Sequence, residues 1–302
     1  MVQESTIHYE ACPSCNSSEI RLVLTAKDYT VSGEAFGIWE CGHCTLRFTQ
    51  DVPGPEAIGP YYEAESYISH TDSRKGIVNR LYHVIRQHTL AKKRRTIQAA
   101  TGLKQGKLLD VGAGTGAFAG HMKAWGWEVT GMEPDERARG VASKVNGVNL
   151  LPASDLYSLT PDHYDAITLW HVLEHVHDLH PYMGQLARLL KKSGRIFIAV
   201  PNYTSHDAEV YRNAWAAYDV PRHLYHFSPD AMEVLLSKHD LQLQVTQPMW
   251  FDSTYISMLS EQYKTGRSHL VKAAWTGLRS NMKAFVDKSR CSSLTYVVNK
   301  GG

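Results

Sequence analysis

The stretch "GKLLDVGAGTGAFAGHMKAWGWEVTGMEPD", residues 106–135, leaves this chain very few architectures. Leu108-Leu109-Asp110-Val111 is a short apolar strand, and Gly112, Gly114 and Gly116 follow it at alternate positions. An amphipathic helix is predicted over 117–125, then a strand, Glu128-Val129-Thr130-Gly131-Met132, that ends at the acid Glu133. Strand, glycine turn, helix, strand, acid is the first half of a doubly wound parallel sheet. Glycine lets the backbone approach a ligand where a Cβ would collide. A helix N-terminus offers free N–H groups to an anion. An acid at the end of the second strand can accept both hydroxyls of a ribose.

The first fifty residues follow different rules. Cys12-Pro-Ser-Cys15 and Cys41-Gly-His-Cys44 are two C-x-x-C knuckles, each aiming two thiolates at one centre. "EIRLVLTAKDYTV" and "FGIWECGHC" between and around them are strand-like. The spacing predicts a zinc ribbon with Cys12, Cys15, Cys41 and Cys44 as ligands. Four thiolates close the coordination sphere, so the zinc is expected to be structural. So short a segment buries little core, and metal binding would supply most of its folding free energy, about 10–16 kcal/mol. The fifth cysteine, Cys291, reads as a free thiol.

The glycine spacing departs from the dinucleotide pattern G-x-G-x-x-G. Asp110-x-Gly112-x-Gly114-x-Gly116 resembles the first motif of class I S-adenosylmethionine (SAM)-dependent methyltransferases. Tyr164–Trp170 looks like that family's fourth strand, and "HVLEHV" follows as in the ubiquinone and menaquinone methyltransferases. A helix over 178–191 leads through Ser193-Gly194 into a fifth strand, Arg195–Val200. The resemblance covers about 106–247, with a last strand near 294–298. The zinc module in front is similar to that of sugar C-methyltransferases, whose long C-terminal domain has no counterpart here, and to that of some ribosomal RNA methyltransferases. The resemblance implies an α/β fold: a Rossmann-like, doubly wound, seven-stranded sheet, last strand antiparallel, behind a small N-terminal zinc ribbon. It divides the chain into a ribbon at 1–50, a linker and basic helix at 51–105, and a catalytic domain at 106–302 with an insert at 248–291. It implies SAM as cofactor, near Asp110, Gly112, Ala113, Gly114, Gly116, Glu133, Pro134 and Trp170. Asp155, or Ser154 one register earlier, would bond the adenine amine.

His171-Val-Leu-Glu174-His175 also fits the H-x-x-E-H spacing of a zinc peptidase class. A peptidase needs that motif on a helix facing its own cleft. Here it begins at the end of a parallel strand, beside the ligand crevice, and the peptidase reading is set aside. His171 is expected to face the crevice, with Glu174 and His175 bracing the loop. The ubiquinone enzymes carry an acid where His171 stands; a metal at His171, Glu174 and His175 is a secondary reading. His177 and His180 are expected at the surface.

Three segments should overhang the strand ends, where open α/β sheets bind ligands. The loop "NYTSHDAEVYRNAWAAYDVPRHLYHFSPD" supplies Trp215, Asp219, Arg222, His223 and His226 as substrate-side candidates. His171 is the first choice for a base and His223 the second. An aromatic approach, "YYEAESYISH", precedes a helix starting near Arg74, with Ile77, Leu81, Val84, Ile85 and His88 on one face. The insert 248–291 joins the last two strands and carries an apolar stripe among lysines and arginines.

Charge is unevenly spread. Net charge is +2, but 74–107 hold ten Lys/Arg and no acid, and 254–302 hold eight against two acids. Such surfaces suit an anionic partner. The partner expected is a small or carrier-linked acceptor, sugar-nucleotide, quinone-like or lipid-linked, with nucleic acid second and peripheral membrane contact through the insert. The other function readings are a zinc-containing RNA methyltransferase and a non-catalytic SAM-binding docking protein. No targeting segment or spanning run is seen, so the expected location is cytoplasmic. The sequence does not set an oligomeric state.

Overall fold

The computed structural model describes residues 6–62, 77–267 and 270–301. Most of the aromatic approach predicted at 61–70 lies outside the described residues, as do Arg74 and the side chains of the apolar face predicted at 77–85.

The cysteine-bearing segment forms strands β1 (Thr6–Ile7), β2 (Ile20–Lys27), β3 (Ala35–Cys41), β4 (Arg47–Thr49) and β5 (Val52–Pro53). Further along lie β6 (Lys107–Val111), β7 (Glu128–Met132), β8 (Leu150–Leu151), β9 (Tyr164–Trp170), β10 (Leu190–Pro201), β11 (Tyr225–His226), β12 (Leu241–Pro248) and β13 (Ser293–Lys300). Seven of these make one sheet in the order β12-β13-β10-β9-β6-β7-β8. Pairs from β8 across to β10 are parallel, and β13 runs antiparallel to both neighbours. The seven-stranded sheet with its antiparallel last strand is the one expected.

Side chains alternate across the sheet, as period-two strands require. Leu108, Ala166, Phe197 and Val297 face the helices Ile77–Thr101 and Ala117–Ala124, where Leu90, Ile97, Phe118 and Met122 meet them. Leu109, Ile167, Ile196, Ile198 and Val298 face the other way, onto the helices Leu179–Leu189 and Pro229–Ser237. Because both faces are covered, these strands read as apolar runs. The fifth strand begins at Leu190 rather than Arg195, with its pairing to β9 broken between the two. Gly194 sits in that break: a Cβ there would come within 2.7 Å of Leu190 and 2.9 Å of the Tyr164 carbonyl oxygen.

The ribbon is built into the body. β2, β3 and β4 form an antiparallel sheet whose fourth member is β11, from the loop after β10, with Tyr225 opposite Phe48 and His226 opposite Arg47. Cys12, Cys41, Cys44, Leu46 and Phe48 belong to the same core as Leu224, Tyr225 and Phe227. That loop, predicted as irregular, contains the helix His206–Tyr211 and two short 3-10 turns. β12 ends and β13 begins at the ligand edge, so the insert overhangs it as two helices, Asp252–Thr265 and Leu270–Val286, packed on each other and on His206–Tyr211.

Candidate active site

The three glycines of the turn have φ of 67°, 55° and 74°, the left-handed region that favours glycine. They do different work. A Cβ on Gly112 would lie 2.4 Å from Val172, and one on Gly116 2.6 Å from Val148, so these two permit close packing. A Cβ on Gly114 would meet nothing within 4 Å, so this residue borders open space. The Ala113 amide donates to the Met132 carbonyl oxygen at 2.8 Å, tying the turn to β7. Glu133 accepts the Gly114 N–H at 2.8 Å and the Asp135 N–H at 3.1 Å. Burial raises its pKa, and the two amides oppose that rise. Pro134 is exposed, its carbonyl held by Arg139 at 2.7 Å. Ser154 and Asp155 sit on a 3-10 turn straight after β8, with the serine hydroxyl donating to the carboxylate at 3.3 Å.

Behind the turn, Asp110 is 1% exposed. One oxygen accepts the Thr168 hydroxyl at 2.7 Å, and the other has no partner. Burial pushes its pKa up to about 6, against the pull of Thr168 and the Lys93 ammonium. Lys93 arrives from the helix Ile77–Thr101 and lies 4.1 Å from the Trp170 ring centroid. Burial lowers it to about 8, opposed by Asp110 and Asp252. The Trp170 indole N–H is buried without a partner as well. An orphaned carboxylate oxygen, an orphaned donor and an open glycine edge at the strand ends suit a polar organic ligand such as SAM.

The histidine segment departs from a helix-borne metal motif. His171 directly follows β9 with φ of 58°, and Leu173–His175 is one 3-10 turn. The two histidines of H-x-x-E-H have different partners, Asp252 for His171 and the Arg222 carbonyl for His175. His171 lies 3.3 Å from Glu174 and 3.2 Å from Asp252, the first residue of the insert helix. Burial opposes its charge, but contacts with Asp252 and Glu174 outweigh burial and hold His171 up to about 10. It is an imidazolium near neutral pH, with no lone pair to receive a proton, which counts against its expected role as base. His175 takes the other direction: burial, then the neighbouring His223, lower it to about 4. His177 and His180, expected at the surface, are half-buried and bonded to the Pro53 carbonyl oxygen and to His239.

Glu174 is 0% exposed, and neither of its oxygens receives a hydrogen bond. Burial opposes its ionisation, yet His171 holds its pKa below the ordinary carboxylate value. Glu174, His175 and His223 each present one ligand atom within 4.8 Å of the others. The Arg222 and Ala217 carbonyls bond Nδ1 of His175 and His223 at 3.0 and 2.9 Å. Carbonyls only accept, so those Nδ1 atoms carry protons, and in the neutral form of each ring the lone pair lies on Nε2. This trio, rather than one containing His171, is the set that could hold a divalent ion.

The other substrate candidates have partners within the protein. Trp215 is 2% exposed and donates to Asp207 at 2.8 Å, inside a small core with Tyr211 and Tyr218. Arg222 is buried between Asp219 and Asp28, at 2.6 and 3.1 Å. His226 is buried in β11 beside Thr49 at 3.1 Å. The loop spends these residues on its own interior and on the ribbon instead of the crevice. Trp215, Asp219 and Arg222 do border a small cleft with Tyr29 and Tyr263. Lys93 and Asp252 were missed: the first was hidden in a run of surface-like cations, and the second meets His171 only across 81 positions of chain.

In the ribbon, the sulfurs of Cys12 and Cys44, and of Cys15 and Cys41, are 3.5 Å apart, and all four lie within 4.8 Å of one another. A tetrahedral zinc with Zn–S bonds of about 2.3 Å sets its sulfurs at about 3.8 Å, so the donor set fits. The amides of His43 and Cys44 point at the Cys41 sulfur, as partners of a thiolate would.

A family model described as a methyltransferase domain matches residues 82–246. A ubiquinone biosynthesis O-methyltransferase of Aeromonas salmonicida is 35% identical over 108 residues, 33% of this chain and 45% of that one. The chain thus spans under half the length of that relative. A protein of the same name from Xanthomonas oryzae pv. oryzae is 28% identical over 169 residues, covering 52% and 71% of the two chains. A putative sarcosine dimethylglycine methyltransferase from Galdieria sulphuraria superposes with a TM-score of 0.50 at 17% identity, over 74% of this chain and 88% of that one, a likeness of fold.

Proposed function

The chain belongs to the methyltransferase-domain family, in its SAM-dependent Rossmann-like form, and from that premise we propose that it methylates a quinone-like, hydroxyl-bearing acceptor, small or carrier-linked. SAM supplies an electrophilic methyl group on a sulfonium. The observation that carries the reading is the pairing of Gly114, open on its outer side, with a Glu133 carboxylate fixed by the Gly114 amide. The turn would hold the amino-acid part of the cofactor and Glu133 the ribose. Asp110 and Trp170 would use their orphaned atoms in the same cradle, and Ser154 or Asp155 would serve the adenine. The relatives' name supports an oxygen nucleophile over a sugar carbon.

Methyl transfer asks the protein chiefly for alignment, an effect that can be worth about 7–11 kcal/mol. A hydroxyl nucleophile also needs a base, which adds roughly 10²–10⁴-fold. His223 would serve as that base through Nε2, since the Ala217 carbonyl holds the proton on Nδ1, with the Asp219 carboxylate 3.9 Å from Nε2. His171, charged between Asp252 and Glu174, is suited to hold the acceptor oxygen as its negative charge develops. The ribbon would hold one structural zinc.

The test is S-adenosylhomocysteine formation with a catechol-type quinone precursor, a nucleotide sugar and RNA offered separately. Turnover confined to the catechol, and cut 100-fold or more by His223→Ala with SAM affinity intact, is expected. Preference for RNA or the nucleotide sugar would overturn the acceptor class.

A further inference from the structure

The helix Leu270–Val286 is mounted the wrong way round for a helix that merely covers a core. Trp275, Leu278, Met282 and Phe285 recur three or four apart, and all point outward, from 51% exposed at Leu278 to 82% at Phe285. Val286, at 90%, ends the stripe. The face turned to the protein is small: Ala273, Ser280 and Ala284 are buried, and a Cβ on Gly277 would stand 2.9 Å from the Thr254 Cα. The helix touches its neighbour along that seam, where no large side chain fits. Rotating it to hide the stripe would drive Trp275 or Met282 into backbone, so the exposure is built into the packing.

Charge lies beside the stripe. Lys272, Arg279 and Lys283 recur seven and four residues apart along one flank, and the helix has no acid. Lys272 is tied to the buried Glu261 at 2.8 Å. Arg279 has no ion-pair partner among the described residues, and its guanidinium lies 5.4 Å from the Trp275 ring; the Lys283 ammonium donates to His206 Nδ1 at 3.1 Å and has no carboxylate in salt-bridge range among the described residues. No described helix is long and apolar enough to cross a membrane. An apolar stripe edged by cations on a helix too short and too polar to span is the form that lies in a bilayer interface, apolar side down, cations at the headgroups.

We infer that the face of the helix Leu270–Val286 docks the protein on the surface of an anionic lipid bilayer. The apolar stripe enters the headgroup–acyl boundary, and Arg279 and Lys283 meet lipid phosphates. The partner helix begins at Asp252, which holds His171, and Asn281 donates to the Trp250 carbonyl oxygen at 3.0 Å. Docking would therefore set the catalytic edge close to the membrane. This inference stands apart from the acceptor proposed above, because lipid binding is read without SAM or acceptor.

The experiment is co-sedimentation of the full chain with vesicles of phosphatidylcholine, and of phosphatidylcholine mixed with phosphatidylglycerol, at low and at high salt. Expected is binding to the mixed vesicles at low salt that falls tenfold or more at high salt or on pure phosphatidylcholine. Met282→Ser with Phe285→Ser should weaken it at least tenfold while SAM affinity is unchanged; both side chains are exposed, so the fold should survive. Arg279→Gln with Lys283→Gln should weaken binding to mixed vesicles about tenfold or more. The inference is overturned if the unaltered chain binds neither vesicle, or if the serine variant binds as well as the parent. It is also overturned if the chain sediments as a dimer that Phe285→Ser splits, with no vesicle binding: the stripe is then a contact between copies.

Discussion

The glycine turn and the layer above the strand ends are organised in opposite ways. In the turn, everything lies within thirty residues: Gly114 bonds Glu133 nineteen positions on, and Ala113 bonds Met132. In the layer, Arg222 reaches Asp28 across 194 positions, Thr49 reaches His226 across 177, and His171 reaches Asp252 across 81. Local partners can be read from spacing, while distant ones exist only after the sheet has brought them together. The turn should thus keep its structure when the ribbon is damaged, whereas the layer, whose partners lie in the ribbon, should not.

The largest effect should come from the metal centre. Cys12→Ser with Cys44→Ser should abolish zinc, measured by elemental analysis. Zinc in ribbons contributes about 10–16 kcal/mol to folding, so limited proteolysis should then cut both the first fifty residues and the β11 loop. Zinc retained by the double variant would break the idea that one metal supports both. Arg222→Met comes next. It strands Asp28 and Asp219 next to each other, and losing one partner of a buried pair costs about 3–5 kcal/mol. Denaturant unfolding should show that loss; an unchanged midpoint would mean that the ribbon and loop do not depend on this contact. Glu133→Ala should leave stability nearly alone and weaken SAM in calorimetry by about 2 kcal/mol, roughly 30-fold. Equal affinity would remove the ribose assignment.

The smallest effect concerns pH. His171 is held above its ordinary value of about 6.5, so what its charge adds to stability is fully present below that pH and is lost as pH rises through about 10. Asp252→Asn removes one of the two acids. The His171 ring should then titrate at least one unit lower by NMR, and the alkaline loss of stability should begin earlier. A titration that does not move would show that Glu174 alone holds the charge.

Much of the turn was legible because its rules are short-range. The predicted helix at 117–125 is Ala117–Ala124, and the glycines and Glu133 fall where the motif places them. Cysteine spacing was legible for a similar reason, since a metal site is announced by its ligands. The layer was legible in place but poorly in role. Trp215, Arg222 and His226 look like ligand-binding residues in sequence, but Trp215 is held by Asp207, Arg222 by Asp28 and Asp219, and His226 by the pairing of β11 with the ribbon sheet, contacts that no period or spacing announces. Lys93 looked like one more cation of a solvated helix, yet the turn of that helix carries it over Trp170. The exposed stripe of Leu270–Val286 was visible as a stripe, but its outward direction depends on Gly277 meeting Thr254.

The fourth strand of the ribbon sheet comes from Tyr225–His226. As the chain leaves the ribosome, β2, β3 and β4 emerge with one sheet edge bare, and the strand that closes it is made only after β6 to β10 have been synthesised. During that interval Leu46 and Phe48 have no lasting cover, so early metal capture would be the main safeguard against edge-to-edge aggregation. For the same reason the ribbon is no cassette. Grafted onto another enzyme it would arrive with a missing strand, and cut from this one it would leave Tyr225 and its neighbours facing water.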